Sequence, residues 1–157
     1  PYTTLFRSIQ NGNDKKKNLR IYISRKDAPS RRIINEEEVI QEIEKYGFRS
    51  YQLANLSFPE QVRLFYHAEA VITTHGAGLV NLIWASNIKV IEIFGSFIYL
   101  AYARLCKNFN FEYRQLLSQT EDESKNADMY IPLNPLIEKL KELNLTKASS
   151  NNTNHTN

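Results

Sequence analysis

The sequence predicts an α/β domain built on a doubly wound, mostly parallel sheet. Short β-rich runs alternate with amphipathic helical segments along most of the chain. One of these runs, residues 89–94 (KVIEIF), is almost entirely apolar, as strands covered on both faces are. The chain has 157 residues, of which 42% are hydrophobic, and this suffices for one core. Five predicted strands with four intervening helical segments therefore form one open sheet with helices on both faces.

The first half of the chain contains two strands and two helices. Residues 19–24 form the first strand, and a basic loop follows it. Asn35 is the predicted N-cap of a helix whose first turn carries three glutamates, and Gly47 ends that helix. Residues 48–53 form the second strand, after which Ser57 opens a helix through a capping box.

The second half continues the alternation and ends in a polar tail. Residues 70–74 form the third strand, which runs directly into a glycine-bearing turn and a helix. The remaining predicted elements are a strand at 89–94, a helix at 96–107, a strand at 111–116, a polar loop at 118–128 and a last helix capped by Asn134 and Pro135 that ends near residue 143. The chain thus divides into a starting linker segment at 1–18, a Rossmann-like domain at 19–143 and a disordered tail at 144–157.

Composition excludes several classes of protein and leaves one basic region. A single cysteine, Cys106, cannot form an internal disulfide, and no Cys/His cluster suits a structural zinc. No apolar run approaches the roughly 20 residues that cross a bilayer. Residues 1–32 carry nine basic and two acidic side chains, which places an anion-binding site at this end. Aromatic residues do not interleave the lysines at 15–17, so we predict neither a nucleic-acid partner nor a membrane segment.

Two loops carry the residues that suit an anionic ligand. In open α/β sheets, ligands bind beyond the carboxyl ends of the strands where the strand order reverses. If the order is 2-1-3-4-5, the loops after the first and third strands meet at that point. The first loop contains Arg25, Arg31 and Arg32, and the second contains the Gly76-Ala77-Gly78 turn at the start of a helix. Basic side chains and a helix N-terminus both favour phosphate, so we predict a pyrophosphate-bearing ligand, with a plain tight turn as the alternative for the glycines.

Two further polar residues lie near the same edge of the predicted sheet. His75 precedes the glycine turn and could donate from its imidazole to a phosphate or a substrate hydroxyl, or simply hydrogen-bond the turn. Glu92 interrupts an apolar strand, where an unpaired carboxylate is costly. It could accept hydrogen bonds from ribose hydroxyls or pair with an arginine while partly exposed.

Three segments resemble one family of enzymes in order along the chain. The segments are IYISRKDAPSRRIINEEEV, LSFPEQVRLFYHAEAVITTHGAGLVNLIWA and KVIEIF. They are similar to the C-terminal part of the family 61 glycosyltransferases, and the resemblance covers roughly residues 19–95. It implies the Rossmann-like, donor-binding half of a GT-B glycosyltransferase that transfers a sugar from a UDP-sugar with inversion to a glycan or protein acceptor. It also implies a missing N-terminal Rossmann-like domain.

The resemblance assigns roles to individual positions. Arg25 would contact the diphosphate, whereas Arg31 and Arg32 would either touch phosphate or brace the loop. Glu92 would lie near the ribose, and His75 is the predicted catalytic residue. The turn formed by His75, Gly76, Ala77 and Gly78 would hold the diphosphate at its helix N-terminus, with Asn81 on the first turns of that helix. The family's chemistry then requires no cofactor and no metal site, and no D-x-D motif occurs to hold a metal.

Two other readings of the function stay open at this stage. A non-catalytic nucleotide-binding α/β module would keep the same pocket without a transferase partner domain. A binder of RNA or of a membrane surface would use the basic N-terminal third and lose affinity steeply with salt. No general base for direct inversion is recognisable in the sequence, so the chain by itself is expected to bind donor rather than to catalyse transfer.

Overall fold

The computed structural model of the protein, which describes residues 18–124 and 126–148, has a five-stranded parallel sheet at its centre. The order of the strands is β2-β1-β3-β4-β5, which is the predicted order. The strands are β1 (Leu19–Ile23), β2 (Phe48–Tyr51), β3 (Ala68–Thr74), β4 (Lys89–Phe94) and β5 (Glu112–Leu117). The order reverses between β1 and β3, so the carboxyl ends of these two strands define the expected ligand edge.

Helices cover both faces of this sheet, as a doubly wound fold requires. In chain order they are α1 (Glu36–Glu44), a short 3-10 helix (Leu53–Asn55), α2 (Phe58–Tyr66), a longer 3-10 helix (Ala77–Trp84), α3 (Ala101–Asn108) and α4 (Leu133–Glu142). Helices α1 and α4 pack on one face, and α2, the longer 3-10 helix and α3 pack on the other. Among the described residues, no helix is both long enough and apolar enough to span a bilayer.

Local sequence signals account for several element ends. The Glu60 carboxylate accepts a hydrogen bond from the Ser57 backbone N–H at 2.7 Å, which completes the predicted capping box of α2. Gly47 has a φ of +79°, the left-handed conformation that favours glycine after a helix. Asn35 is the N-cap position of α1, as predicted, but its side chain makes no capping bond and instead bonds the backbone N–H and C=O of Ile131.

The segment after β3 is a 3-10 helix whose two buried leucines lie three positions apart. Leu79 and Leu82 are fully buried, whereas Val80 and Ile83 are about half exposed. A period of three matches the 3-10 helix, in which side chains three apart lie on one face. The turn that follows β3 is therefore tighter than an α-helical start would make it.

Three later boundaries differ from the sequence prediction. Helix α3 begins at Ala101 rather than near residue 96, and the apolar residues 97–100 before it are each about half exposed. The polar loop contains a small antiparallel pair, β6 (Gln119–Thr120) and β7 (Met129–Tyr130). Helix α4 begins at Leu133 after Pro132, one position before the predicted cap. The β6–β7 pair folds the 118–130 segment back towards the carboxyl edge of the sheet, where Met129 bonds the loop after β1.

The ordered domain extends past the predicted boundary at residue 143. Leu145 is 3% exposed and belongs to the core beneath α1 and α4. The Thr146 carbonyl accepts a hydrogen bond from Arg20, and the Ala148 N–H bonds the carbonyl of Lys45. The prediction of a disordered tail is thus wrong for residues 144–148, because burial of Leu145 anchors them, and residues 149–157 lie outside the described part of the chain.

Replacing Leu145 tests this extension of the core. Leu145→Ala removes a buried side chain and is expected to lower the free energy of unfolding by about 2–3 kcal/mol. Urea denaturation followed by circular dichroism measures the change. Lys141→Ala, an exposed position on α4, serves as the control and is expected to change stability by less than about 0.5 kcal/mol. Equal stability of the two variants would show that the core ends at residue 143.

Candidate functional site

The loops that follow β1 and β3 converge on one edge of the sheet, as the strand order requires. A cavity of about 440 Å³ lies between them, and we call it the β1–β3 cavity. Its polar lining includes Ser24 and Arg25 from the first loop and Thr74, Gly76 and Gly78 from the second. The predicted cationic loop and glycine turn therefore line the same cavity.

Two arginines of the loop after β1, Arg25 in this cavity and Arg31 in a neighbouring one, form no ion pair within the described residues. Within the described residues, their side chains make long hydrogen bonds to backbone carbonyls, from Arg25 to Ser30 at 3.4 Å and from Arg31 to His75 at 3.2 Å. The buried Nε atoms of both have no partner within the described residues. Burial and the neighbouring Arg31 charge hold the pKa of Arg25 below its usual value, although the Asp27 charge opposes this, so a bound anion would relieve both costs.

Close packing explains the glycines of the turn better than backbone strain does. Gly76 has a φ of 166°, which is extended backbone open to any residue. A Cβ atom at Gly76 would lie 3.0 Å from Nη1 of Arg25, and one at Gly78 would lie 2.9 Å from Cδ1 of Leu53. The missing side chains let the turn approach the arginine loop and the cavity wall. The first N–H groups of the helix that starts at Ala77 have no carbonyl partner within that helix and are available to an anion.

Asn81 holds the glycine turn against α2. Its side-chain amide donates to the Gln61 side chain at 3.1 Å and to the Gly78 carbonyl at 3.2 Å. The residue lines the β1–β3 cavity and is 5% exposed. Because its N–H groups are used within the protein, Asn81 fixes the helix start against α2.

Arg32 points away from the cavity and braces the loop. Its guanidinium and backbone N–H both bond the Asp128 carboxylate, with Nη2 at 2.8 Å from Oδ2. The Arg32 carbonyl accepts from the Met129 N–H, which ties the loop to β7. Of the two sequence alternatives for Arg32, phosphate contact and loop bracing, the structure supports bracing.

The imidazole of His75 lies in a neighbouring cavity rather than with the glycine turn. This second cavity, of about 290 Å³, follows β3 and β4, and we call it the β3–β4 cavity. The ring stacks on Phe94 and Tyr99 with centroid distances of 5.4 and 5.3 Å. Thr74, whose buried Oγ1 has no hydrogen-bond partner among the described residues, lines both cavities.

Glu92 lies beneath this ring and does not reach the surface. It is fully buried, with His75 Nδ1 at 2.6 Å from Oε1, and Oε2 accepts a hydrogen bond from the Tyr113 hydroxyl. Burial raises the pKa of the Glu92 carboxyl, and the bonds from Tyr113 and His75 oppose that rise. The expected contact with a ribose is therefore wrong, because both oxygens already have partners inside the protein.

Sequence reasoning missed Tyr113 and Tyr99 as members of this site. Tyr113 lies in the predicted last strand, and the parallel pairing of β5 with β4 brings it next to Glu92. The signal in the sequence that could have revealed this contact was an acidic residue in an apolar strand, followed in the chain by a strand that contains a tyrosine. Tyr99 lies in an apolar segment without a motif, and only the non-helical path before α3 brings it over His75.

Comparison with known proteins adds one match. The family model described as Glycosyltransferase 61 matches residues 2–91, which is more than half of the chain and includes both cavity loops. No curated protein matches the chain. In the described part of the chain, no group of three or more His, Cys, Asp or Glu residues is arranged to hold a metal ion.

Proposed function

Since the chain belongs to glycosyltransferase family 61, we propose that this domain binds the UDP-sugar donor of an inverting transferase in the β1–β3 cavity. The observation that carries this proposal is the guanidinium of Arg25, which forms no ion pair with a described residue and lies beside the N-terminus of the helix that follows β3. Arg31, also without an ion pair among the described residues, lines the neighbouring β3–β4 cavity. A diphosphate provides the negative charge that these groups lack.

In this proposal the domain lowers the energy of the departing nucleotide. The acceptor oxygen attacks the anomeric carbon, and the bond from that carbon to the phosphate oxygen breaks. Its electron pair passes to the diphosphate, where negative charge grows. Arg25, Arg31 and the N–H groups at Ala77 and Gly78 are fixed before the reaction, so they stabilise that charge without reorganising.

The proposal also assigns the remaining parts of the enzyme. A second, N-terminal Rossmann-like domain would bind the glycan or protein acceptor and bring it to the carboxyl edge of this sheet. That domain would supply the general base for the acceptor hydroxyl. The exposed apolar residues 97–100 lie at the same edge as the cavities and would be covered when the two domains close.

Titration of isotope-labelled protein with UDP, followed by NMR, tests the proposal. We expect the amide signals of residues 24–28 and 76–81 to shift with UDP and to stay unchanged with uridine, because the phosphates make the contacts. Shifts confined to residues remote from both cavities, or no shifts at all, would contradict the proposed site.

Arg32 provides a prediction that separates loop bracing from phosphate contact. Arg32→Ala removes the side-chain contacts with Asp128, keeps the backbone N–H bond to it, and removes no contact in the β1–β3 cavity. We expect the Kd for UDP, measured by calorimetry, to change by less than about threefold, which corresponds to under 1 kcal/mol. A rise of the Kd by about tenfold or more would instead indicate that Arg32 contacts the phosphates.

A further inference from the structure

Three hydrogen-bonded side chains extend from the core of the sheet to the β3–β4 cavity. The Tyr113 hydroxyl donates to Oε2 of Glu92, and Oε1 lies 2.6 Å from Nδ1 of His75. The Glu92 side chain is completely buried, whereas that of His75 is 22% exposed. Of these three side chains, the imidazole alone lines the cavity. Its second nitrogen, Nε2, has no hydrogen bond to the described residues.

The number of protons that Glu92 and His75 share determines whether Nε2 donates or accepts a hydrogen bond. With one proton, the pair places it between Nδ1 and Oε1, and Nε2 carries only a lone pair. With two protons, Nε2 carries a hydrogen whether Glu92 or the imidazole holds the other proton. The pair is therefore a hydrogen-bond acceptor towards the cavity in the first state and a donor in the second.

The lining of the cavity favours the donor state when an anion is present. None of the described lining residues is acidic, and the lining includes Arg31 and Thr74, each with a buried polar atom that lacks a partner. A phosphate oxygen facing the lone pair of Nε2 would be repelled, whereas one facing Nε2–H would accept a hydrogen bond. Binding of a phosphate therefore draws a second proton onto the pair.

The other titratable groups around the pair stay protonated near neutral pH. Burial, with a contribution from the Glu92 charge, raises the pKa of Cys106 to about 12. The same causes raise the pKa of Tyr102 and Tyr113 above their ordinary values. Tyr99 stacks on the ring, and the Arg31 side chain donates to the His75 carbonyl. The thiol of Cys106 and the hydroxyls of Tyr102 and Tyr113 are therefore not the groups that exchange a proton near pH 7.

We propose that binding of a nucleoside diphosphate is coupled to uptake of one proton by the Glu92–His75 pair, with Glu92 as the positioning residue that makes Nε2–H a donor to phosphate. The inference rests on the proposed donor site, and it places the phosphates of one ligand next to Thr74, which lines both cavities. The coupling makes UDP bind more weakly as pH rises, by up to about tenfold per pH unit where uptake is complete.

Calorimetry with UDP in two buffers of different ionisation enthalpy measures the number of protons taken up. Wild type is expected to show clear uptake near pH 7.5, whereas Glu92→Gln shows little or none. A glutamine at this position either accepts from Nδ1–H without a charge to support the imidazolium or donates to Nδ1 and fixes Nε2–H without an added proton. The phosphate of UDP also titrates, but it does so equally with both proteins, so the difference between them is the readout.

Glu112→Gln is the matched control, since Glu112 lies on β5 but is about half exposed and only 4.0 Å from Lys89. Glu112→Gln is expected to keep the wild-type proton uptake.

Tyr113→Phe should move the pH range of proton uptake upward, because it removes a hydrogen-bond donor to Glu92. Circular dichroism shows whether each variant is folded, and the ¹⁵N shift of Nε2 reports its proton directly, with UDP expected to move it towards the N–H value.

Binding of UDP with equal proton uptake in wild type and Glu92→Gln would overturn the coupling while leaving the donor site intact. Absence of UDP binding would overturn both proposals. If Glu92→Gln does not fold, an unchanged Nε2 shift in wild type on addition of UDP overturns the coupling.

Discussion

Arg25→Ala is expected to raise the Kd for UDP by about 10- to 100-fold. The guanidinium lines the β1–β3 cavity next to the glycine turn and has no carboxylate partner among the described residues, so its charge is available to the ligand. Charge-assisted hydrogen bonds contribute about 1.5–3 kcal/mol, and 1.4 kcal/mol corresponds to a factor of ten in Kd. Isothermal titration calorimetry at fixed pH and salt measures the change.

The same substitution should not destabilise the fold. Burial and the nearby Arg31 charge already lower the pKa of Arg25, which means that its positive charge is disfavoured in the free protein. Removing it is expected to leave the free energy of unfolding unchanged or slightly higher. Lys26→Ala, at the next and well exposed position, is the control and should affect UDP affinity by less than about threefold. Equal losses for Arg25 and Lys26 would indicate a diffuse cationic surface and contradict a specific pocket.

The sequence contained enough information for the architecture and for the convergence of the two loops. Alternating strands and helices, the Ser57 capping box and Gly47 determined most element positions, because each depends on residues close together in the chain. The strand order then brought Arg25 and Gly76 to one edge through topology alone. Arg31 and Arg32 could not be separated in this way, since only the long-range contact with Asp128 distinguishes them.

The division of the site into two cavities could not be predicted from the sequence. His75 and Gly76 are neighbours in the chain, but successive side chains of an extended segment point in opposite directions. The imidazole therefore enters the β3–β4 cavity, while the turn faces the β1–β3 cavity. The cost of burying Glu92 is offset in part because Tyr113 and His75 reach it from different elements. Such pairings depend on strand register rather than on local pattern.

Gly78→Val is expected to abolish measurable UDP binding and to lower stability by about 1–3 kcal/mol, the usual cost of overpacking. A single Cβ atom at this position already lies 2.9 Å from Cδ1 of Leu53, and valine adds two methyl groups on the wall of the β1–β3 cavity. The backbone at Gly78 has no left-handed φ, so the loss has a steric cause and not a conformational one. Calorimetry with UDP and urea denaturation measure the two effects separately.

A second substitution, Leu53→Ala, separates the two effects of Gly78→Val, which are the loss of UDP binding and the loss of stability. Leu53→Ala removes the clashing methyl group, so the double variant with Gly78→Val is expected to recover most of the lost stability as a favourable coupling energy. UDP binding should stay lost in that variant, because the valine still occupies the space next to the N–H groups that a phosphate would need. Recovery of UDP affinity together with stability would show that the turn only supports the fold. The diphosphate would then have to bind elsewhere on the carboxyl edge.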